Sequence, residues 1–168
     1  PEGVARILRD VRGAGNVEWA LGNRGSINAM IATHAVVADV TQGILWVSRG
    51  PHQLGQFDAY SIQTFGGSPP APPIPADPLL SSGAYERLCK ARALIQQASD
   101  SEVPDEALLR EALELNPRDP KALCLLGEAL AAKGRPGEAR VHFEAALAAS
   151  PPFKADREAI NTALAGLE

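Results

Sequence analysis

The segment 117–151 constrains the fold of this chain more than any other, because its spacing of small and large residues is difficult to obtain by chance. Apolar residues recur at helical spacing on both sides of a break at residues 134–137, which predicts two short antiparallel helices. Gly127 and Ala139 are small where two helices of a hairpin must cross closely. Pro151 stands where the second helix should end. The residues expected to fill the space around the crossing are Leu123, Leu126, Leu130 and Phe143.

This pattern resembles the tetratricopeptide repeat, a helical hairpin of about 34 residues. Leu123 and Leu130 take the places of the family's usual Trp and Tyr. The other positions that match the family's offsets are Gly127, Ala139, Phe143, Ala146 and Pro151. The resemblance implies an all-α scaffold for protein contacts, and it implies no reaction.

A second, degenerate repeat is predicted before the clear one, because Ala112 and Pro117 lie 34 residues before their counterparts Ala146 and Pro151. Two repeats and a cap fall short of the three or more that usually stand alone. The first helix of the degenerate repeat is therefore expected to pack its apolar side chains against the N-terminal part of the chain or against a partner. The residues expected at this contact are Tyr85, Leu88 and Leu94. The helical domain is predicted over residues 81–168, with a degenerate repeat at 83–117, a clear repeat at 118–151 and a capping helix at 156–167.

The N-terminal part, residues 1–65, is predicted to be a different kind of structure, with few strands. Its apolar periodicity and β-branched residues predict a short helix at 2–11 and strands at 27–40, 44–48 and 57–63. So few elements cannot cover both faces of a sheet. One face is therefore expected to be uncovered or to lie against another chain, with Ile31, Val37, Leu45 and Trp46 on the strands concerned. A proline-rich linker, residues 66–80, separates this part from the helices.

The stretch around the predicted hairpin resembles a second family. Residues that carry the resemblance are Thr33, Ala35, Val36, Val37, Asp39, Leu45, Trp46, Val47, Ser48, Gly50 and Pro51. They are similar to the late strand pair of the isopenicillin N acyltransferase-like family, cysteine amidohydrolases and acyltransferases of the N-terminal-nucleophile (Ntn) superfamily. The resemblance covers roughly residues 4–90 and implies part of an αββα sandwich. With the helical array, the fold class expected is α+β.

What this second resemblance implies about activity is limited by the nucleophile. Members use an N-terminal Cys as nucleophile, and no residue here matches it. Cys89 and Cys124 fall in the helical part, where both are expected to be buried or half-buried thiols. No catalytic residue is therefore carried over, and the chain is expected to be inactive without a part that bears the nucleophile.

Four polar side chains in the N-terminal part are candidate ligand contacts. His52 lies in the loop GPHQLG, where a histidine beside a glycine suits a ligand contact. His34 is expected in mid-strand, where a structural histidine lining a core or pocket is the commoner role. Asn23 and Arg24, in the turn GNRGS, could position an anionic group, although a polar turn is the ordinary alternative. His142, on a repeat helix, is expected at the surface or in packing.

Composition excludes several classes of function. The chain is 45% hydrophobic with a formal net charge of −4, which suits neither a disordered chain nor a nucleic-acid-binding one. It has no apolar run of about 18 residues, so no membrane span is predicted. Two cysteines do not make a metal site, and no glycine-rich phosphate loop is present, so no metal and no cofactor are predicted. No compartment is assigned.

Two functions therefore remain open from the sequence. The first is the C-terminal portion of an Ntn-type amide hydrolase or acyltransferase with an interaction tail. The second is a non-enzymatic interaction module whose repeats bind a protein. The expected partner is another protein, the remainder of the same polypeptide, another subunit or a second copy of the chain. The reading frame upstream of Pro1 separates the two, because only the first requires an extension with an autoproteolytic Cys.

Overall fold

The computed structural model describes residues 1–64 and 67–167, and the predicted boundary between residues 65 and 66 lies outside them. Within these ranges the fold is α+β, with seven α-helices and one three-stranded antiparallel sheet. The strands are β1 (Val36–Asp39), β2 (Ile44–Ser48) and β3 (Phe57–Ser61). The helices are α1 (Glu2–Leu8), α2 (Pro78–Ser81), α3 (Ala84–Ala98), α4 (Glu106–Leu115), α5 (Pro120–Ala132), α6 (Pro136–Ala148) and α7 (Lys154–Ala165), with a 3₁₀ turn at Ala14–Asn16.

The sheet, in the order β1-β2-β3, buries one face against the chain itself. Val37, Trp46 and Ala59 lie side by side across the three strands, and each is less than a tenth exposed. Ala5 of α1 and Ile74 of the proline-rich linker pack over this face. The Trp46 Nε1–H also donates to the Pro72 carbonyl oxygen at 3.0 Å, so the linker is held on the sheet by a hydrogen bond as well as by apolar contact.

The opposite face of the sheet is open, as the small number of strands predicts. Val36 and Tyr60 are 52% and 42% exposed there. Leu45, which pairs with Tyr60, shares this face and is partly buried. Of the other residues named for the open face, Val37 and Trp46 lie on the covered side. Ile31, the fourth, lies outside the sheet.

The long strand predicted over residues 27–40 is wrong over most of its length, because only Val36–Asp39 is strand. Met30 adopts a positive φ of 54°. The Asn28 side-chain oxygen accepts from the Met30 N–H at 3.3 Å, and Arg92 donates to the Met30 carbonyl oxygen at 3.2 Å. These backbone groups are engaged with side chains, so they do not form a sheet ladder.

The helices α3 to α7 form two hairpins and a closing helix around one apolar core. Asp105 and Asp119 cap α4 and α5 by accepting backbone N–H bonds, so each helix begins one residue after its aspartate. The closing helix begins at Lys154, two residues before the predicted start. The core unites residues from all five helices, including Ala91, Leu109, Leu126, Phe143 and Ile160.

A smaller core joins the N-terminal part to α3. Leu88 is 1% exposed and packs with the buried side chains of Met30 and Leu54, while Tyr85 packs against the same cluster. Two of the three residues predicted for this contact are therefore in it. Leu94, the third, packs into the core of the helical array instead.

Candidate functional site

A groove of about 620 Å³ lies along the helical array. Helices α3, α5 and α7 each line it with residues at helical spacing, so each presents one stripe. The stripe of α5 is the longest. It runs from Lys121 at the start of the helix through Cys124 and Leu125 to Glu128.

The chain segment at residues 20–31 forms the remaining wall of the groove. Arg92 of α3 holds it by donating to the carbonyl oxygens of Gly22, Ala29 and Met30 at 3.4, 3.2 and 3.2 Å. A planar guanidinium suits such a cluster of acceptors because it presents several N–H groups in fixed directions. The wall is therefore positioned by a residue at least 62 positions away in the sequence.

Asn23 and Arg24 line the groove at the end formed by the link between α6 and α7. Asn23 is 5% exposed, and its Nδ2 donates to the carbonyl oxygens of Ala149 and Ser150 at 3.5 and 3.2 Å. The guanidinium carbon of Arg24 lies 5.5 Å from the centre of the Phe153 ring, a cation–π contact. Asn23 thus holds the wall in place, whereas Arg24 is exposed.

Apolar side chains are open to solvent inside this groove. Ile31 from the wall is 53% exposed and Phe153 from the α6–α7 link is 50% exposed. Leu125 of α5, which is partly buried, lines the same groove. Large apolar side chains gathered in one concave surface are typical of binding sites.

Some ionisable groups in the groove form hydrogen bonds with other residues of the chain. The Asp119 carboxylate caps α5 and also accepts from Asn116. The Cys124 thiol donates to Glu128 at 3.6 Å. Burial first, and the negative charges of Glu128 and Asp156 next, raise the pKa of the Cys124 thiol to about 12. The thiol is therefore protonated at neutral pH and is a poor nucleophile.

The two histidines proposed as ligand contacts lie outside the groove. One ring nitrogen of His52, Nδ1, is 2.9 Å from the Ala32 carbonyl oxygen, so it carries the proton and donates. Its Nε2 then accepts from the Tyr85 hydroxyl at 3.2 Å. His52 thus connects its loop to α3. His34 is exposed and precedes β1 rather than lying in mid-strand.

The remaining predicted positions are placed as follows. His142 is half-buried, and burial together with the charge of Arg110 lowers its pKa. Both cysteines are free; Cys124 is half-buried, but Cys89 is exposed, so the prediction that it is buried or half-buried is wrong. The positions predicted to carry the repeat pattern are all buried: Leu123, Leu126, Gly127, Leu130, Ala139, Phe143, Ala146 and Pro151.

Residues 1–64 and 67–167 contain neither a cluster of metal-ligating side chains nor a helix suited to span a membrane. Over those residues, no group of three or more His, Cys, Asp or Glu side chains is arranged to hold a metal ion. No helix there combines the length and the apolar character needed to cross a membrane.

Comparisons with known proteins support the repeat. The family model of the tetratricopeptide repeat matches residues 108–141, which run from the first turn of α4 through α5 into α6. No curated protein and no solved structure matches the chain. The resemblance to the isopenicillin N acyltransferase-like family has no support among these comparisons and stays a prediction.

The groove is not among the features predicted from the sequence. The α5 stripe from Lys121 to Glu128 could have been found, because its spacing places these side chains on one helical face. No local pattern in the sequence indicates the wall at residues 20–31 or the role of Arg92 in holding it. Their contacts join parts of the chain that no periodicity relates.

Proposed function

We propose that this chain is a protein-interaction module that holds an extended segment of a partner polypeptide in the groove between α3, α5 and α7. The observation that carries the proposal is the pair of half-exposed side chains, Ile31 and Phe153, inside one groove of about 620 Å³. Helical repeats offer such concave surfaces for binding. The match of the repeat model to residues 108–141 supports the same function.

Dimensions of the groove suit a short segment rather than a flat protein surface. Its volume falls within the range of about 300–1,000 Å³ that binding pockets occupy. Phe153 offers an apolar anchor, and Leu125 adds a second apolar side chain to the lining. Apolar side chains of the partner would therefore supply most of the binding energy.

Peptide display tests this proposal without knowledge of the partner. A library of random peptides of about a dozen residues is selected on the immobilised chain and, in parallel, on the variant Leu125→Glu. Leu125→Glu replaces an apolar side chain of the lining with a charged one, so peptides that bind in the groove should be lost from the second selection. Val141→Glu is the matched control, because Val141 is 61% exposed on α6 and does not line the groove.

A selection in which Val141→Glu retains the enriched peptides and Leu125→Glu loses them supports the groove. Equal enrichment on all three proteins, or no enrichment on any, would overturn the proposal. Circular dichroism of each variant establishes that a loss of binding is not a loss of fold.

As a second candidate function, the chain would form the C-terminal portion of an Ntn-type amide hydrolase or acyltransferase. The open face of the sheet favours it, since Val36 and Tyr60 suit a sheet layer covered by a second layer in a sandwich. Neither free cysteine corresponds to the N-terminal Cys nucleophile of that family, and the pKa of the Cys124 thiol is raised to about 12. We therefore expect no amide hydrolysis from this chain alone. Turnover abolished by Cys89→Ala or Cys124→Ala would overturn that expectation.

A further inference from the structure

We infer that this chain has a second binding site, at the edge of its sheet, which takes a single extended segment of a partner polypeptide through main-chain hydrogen bonds. The site is a cleft of about 380 Å³ between β3 and residues 67–73 of the linker, and we call it the edge cleft. It is separate from the groove of the helical array, so the inference goes beyond the function proposed above.

The first step is that alternate residues of β3 point their backbone groups toward the linker side. Phe57 exchanges two backbone hydrogen bonds with Ile74 of the linker, at 2.9 and 3.0 Å, so its N–H and carbonyl groups face away from β2. Along an antiparallel strand, every second residue faces the same neighbour. The backbone groups of Ala59 and Ser61 therefore face this edge as well.

The second step is that the linker does not continue the pairing to Ala59. Continued by two residues, it would place Pro72 opposite Ala59. Proline has no N–H to donate, and the Pro72 carbonyl oxygen already accepts from the side chain of Trp46. Over residues 1–64 and 67–167, the backbone groups of Ala59 have no hydrogen-bond partner.

The unpaired groups of Ala59 are also buried. Ala59 is 6% exposed, and it lines the edge cleft. Backbone donors and acceptors at this depth are nearly always paired. One donor and one acceptor from the same strand residue match the acceptor and the donor of another extended main chain. The cleft is therefore suited to receive a strand.

The third step is that the walls admit a single segment rather than the edge of a second sheet. One wall is β3, and the opposite wall includes Pro69, Pro70 and Pro73. A strand that belongs to a sheet carries a neighbouring strand on its far side, where these prolines lie. The edge strand of a second copy of this chain is excluded on the same ground. At about 3.3 Å per residue, the stretch from Ala59 to Ser61 pairs with about three residues of an extended segment.

Side chains around the cleft add a modest preference. Tyr60 is 42% exposed and lines the cleft beside Arg49 and Asp58, which form an ion pair with each other. Since this pair is already neutralised, neither sign of charge is favoured in the partner. An apolar side chain suits the position next to the Tyr60 ring, and the main chain supplies the rest of the recognition.

Peptide display on the Leu125→Glu variant tests the edge cleft, because that variant removes peptides that depend on the helical groove. The enriched peptides should be lost when Ser61→Pro is added. Ser61→Pro deletes an N–H that faces the cleft and leaves the hydrogen bonds to β2 in place, and edge strands tolerate proline at such positions. Ala59→Pro is a second variant with the same logic.

Val36→Pro, also added to Leu125→Glu, is the matched control at the opposite edge of the sheet. The Ala35 carbonyl oxygen accepts from the Ser48 N–H of β2, so the groups of the next residue, Val36, face away from β2. This variant should retain the enriched peptides. No enrichment, or equal enrichment on Ser61→Pro and Val36→Pro, would overturn the inference. Circular dichroism establishes that each variant is folded.

N-methylation of an enriched peptide tests main-chain pairing on the parent chain without any substitution. Methylating one amide nitrogen at a time should weaken binding about tenfold at every second position, where the N–H faces β3. The positions between should tolerate the methyl group, because their N–H groups face away. Uniform sensitivity, or none, would overturn pairing with the strand edge.

Hydrogen exchange of single amides, followed by NMR, places the peptide on the structure. In the free chain Ala59 and Ser61 should exchange faster than Tyr60, whose N–H faces β2. Bound peptide should slow the exchange of Ala59 and Ser61 and leave that of Val36 unchanged. Exchange at Ala59 that ignores saturating peptide would overturn the inference.

The other outcomes have distinct signatures. Protection of Ala59 that rises with protein concentration in the absence of peptide would identify a second copy as the occupant and overturn the inference of a single partner segment. Loss of the edge cleft leaves the helical groove in place, because peptides that depend on Leu125 do not depend on Ser61. Conversely, peptides that depend on Ser61 alone support the edge cleft whatever the fate of the groove.

Discussion

Gly127 of α5 lies directly against the aromatic ring of Phe143 in α6. A β-carbon at residue 127 would come within 2.7 Å of the Phe143 Cε1 atom. Carbon atoms in favourable contact are about 3.5–4.0 Å apart. The two helices can therefore cross at this distance only because residue 127 has no side chain.

Replacing Gly127 with alanine should destabilise the chain although alanine is the better helix former. The methyl group must displace the buried Phe143 ring, and overpacking of this kind typically costs about 1–3 kcal/mol. The gain in helix propensity, about 1 kcal/mol, offsets part of this cost. We expect a net decrease in the free energy of unfolding, measured by urea denaturation followed by circular dichroism.

Gly137→Ala is the matched control for that experiment. Gly137 lies in α6 of the same hairpin, and a β-carbon built there meets no atom within 4 Å. Its substitution should be neutral or should stabilise the chain by up to about 1 kcal/mol. Equal stabilities of Gly127→Ala and Gly137→Ala would contradict a close crossing at Gly127.

Phe143→Ala tests the opposite change at the same crossing. Phe143 is 1% exposed, so removing its ring leaves a cavity in the main core and should cost about 3–5 kcal/mol. Val141→Ala, two residues earlier on the exposed side of α6, should remain within about 0.5 kcal/mol of the parent. A small change for Phe143→Ala in thermal and urea unfolding would mean that the ring does not fill the core.

The helical hairpin could be predicted because its determinants are local. Helical spacing within one short segment relates Gly127, Ala139 and Phe143. This pattern can therefore be recognised from the segment itself. The returning strand β2 was likewise predicted with its observed bounds, because its β-branched and aromatic residues lie between turn signals.

Prediction failed where distant side chains decide the local structure. The apolar run that follows Ile27 has the composition of a strand, yet Asn28 and Arg92 bind its backbone and turn it into the wall of a groove. Arg92 lies 62 residues beyond Met30, whose carbonyl oxygen it binds. No window of sequence around residue 30 therefore contains the side chain that decides the local structure.

Arg92→Lys should loosen this wall. Lysine keeps the charge but cannot present the planar set of N–H groups that reaches three carbonyl oxygens. We expect a loss of about 1–2 kcal/mol in the free energy of unfolding, in line with hydrogen bonds to a charged donor. Amide hydrogen exchange should also accelerate in residues 20–31.

Arg87→Lys is the control for this substitution on the same helix. Arg87 is exposed, and its contact is a long hydrogen bond of 3.4 Å to the Ser82 carbonyl oxygen. It should change neither stability nor the exchange of residues 20–31. Similar exchange in the two variants would show that Arg92 does not hold the wall.

The carboxylate of Glu106 is the centre of an ionic cluster at the turn between α5 and α6. Lys133 and Arg110 each donate to it at 2.8 Å, and Arg135 donates at 3.1 Å. These bonds lower the pKa of Glu106 from 4.5 to about 2. A carboxyl group whose pKa is lower in the folded state stabilises the fold above its unfolded pKa and loses that contribution as the pH falls through the folded value.

Glu106→Gln should therefore reduce the acid sensitivity of the chain. Urea unfolding of the parent at about pH 5.5 and about pH 3 should show a loss of stability to which Glu106 contributes, because the pH falls below 4.5 toward the folded pKa of about 2. The glutamine variant should be less stable than the parent at the higher pH and should lose less on acidification. Glu144→Gln, exposed on α6, should follow the parent at both pH values. A Glu106→Gln profile parallel to that of the parent would contradict a lowered pKa, since Asp10, Asp58 and Glu138, whose pKa values are also lowered, would then account for the whole loss.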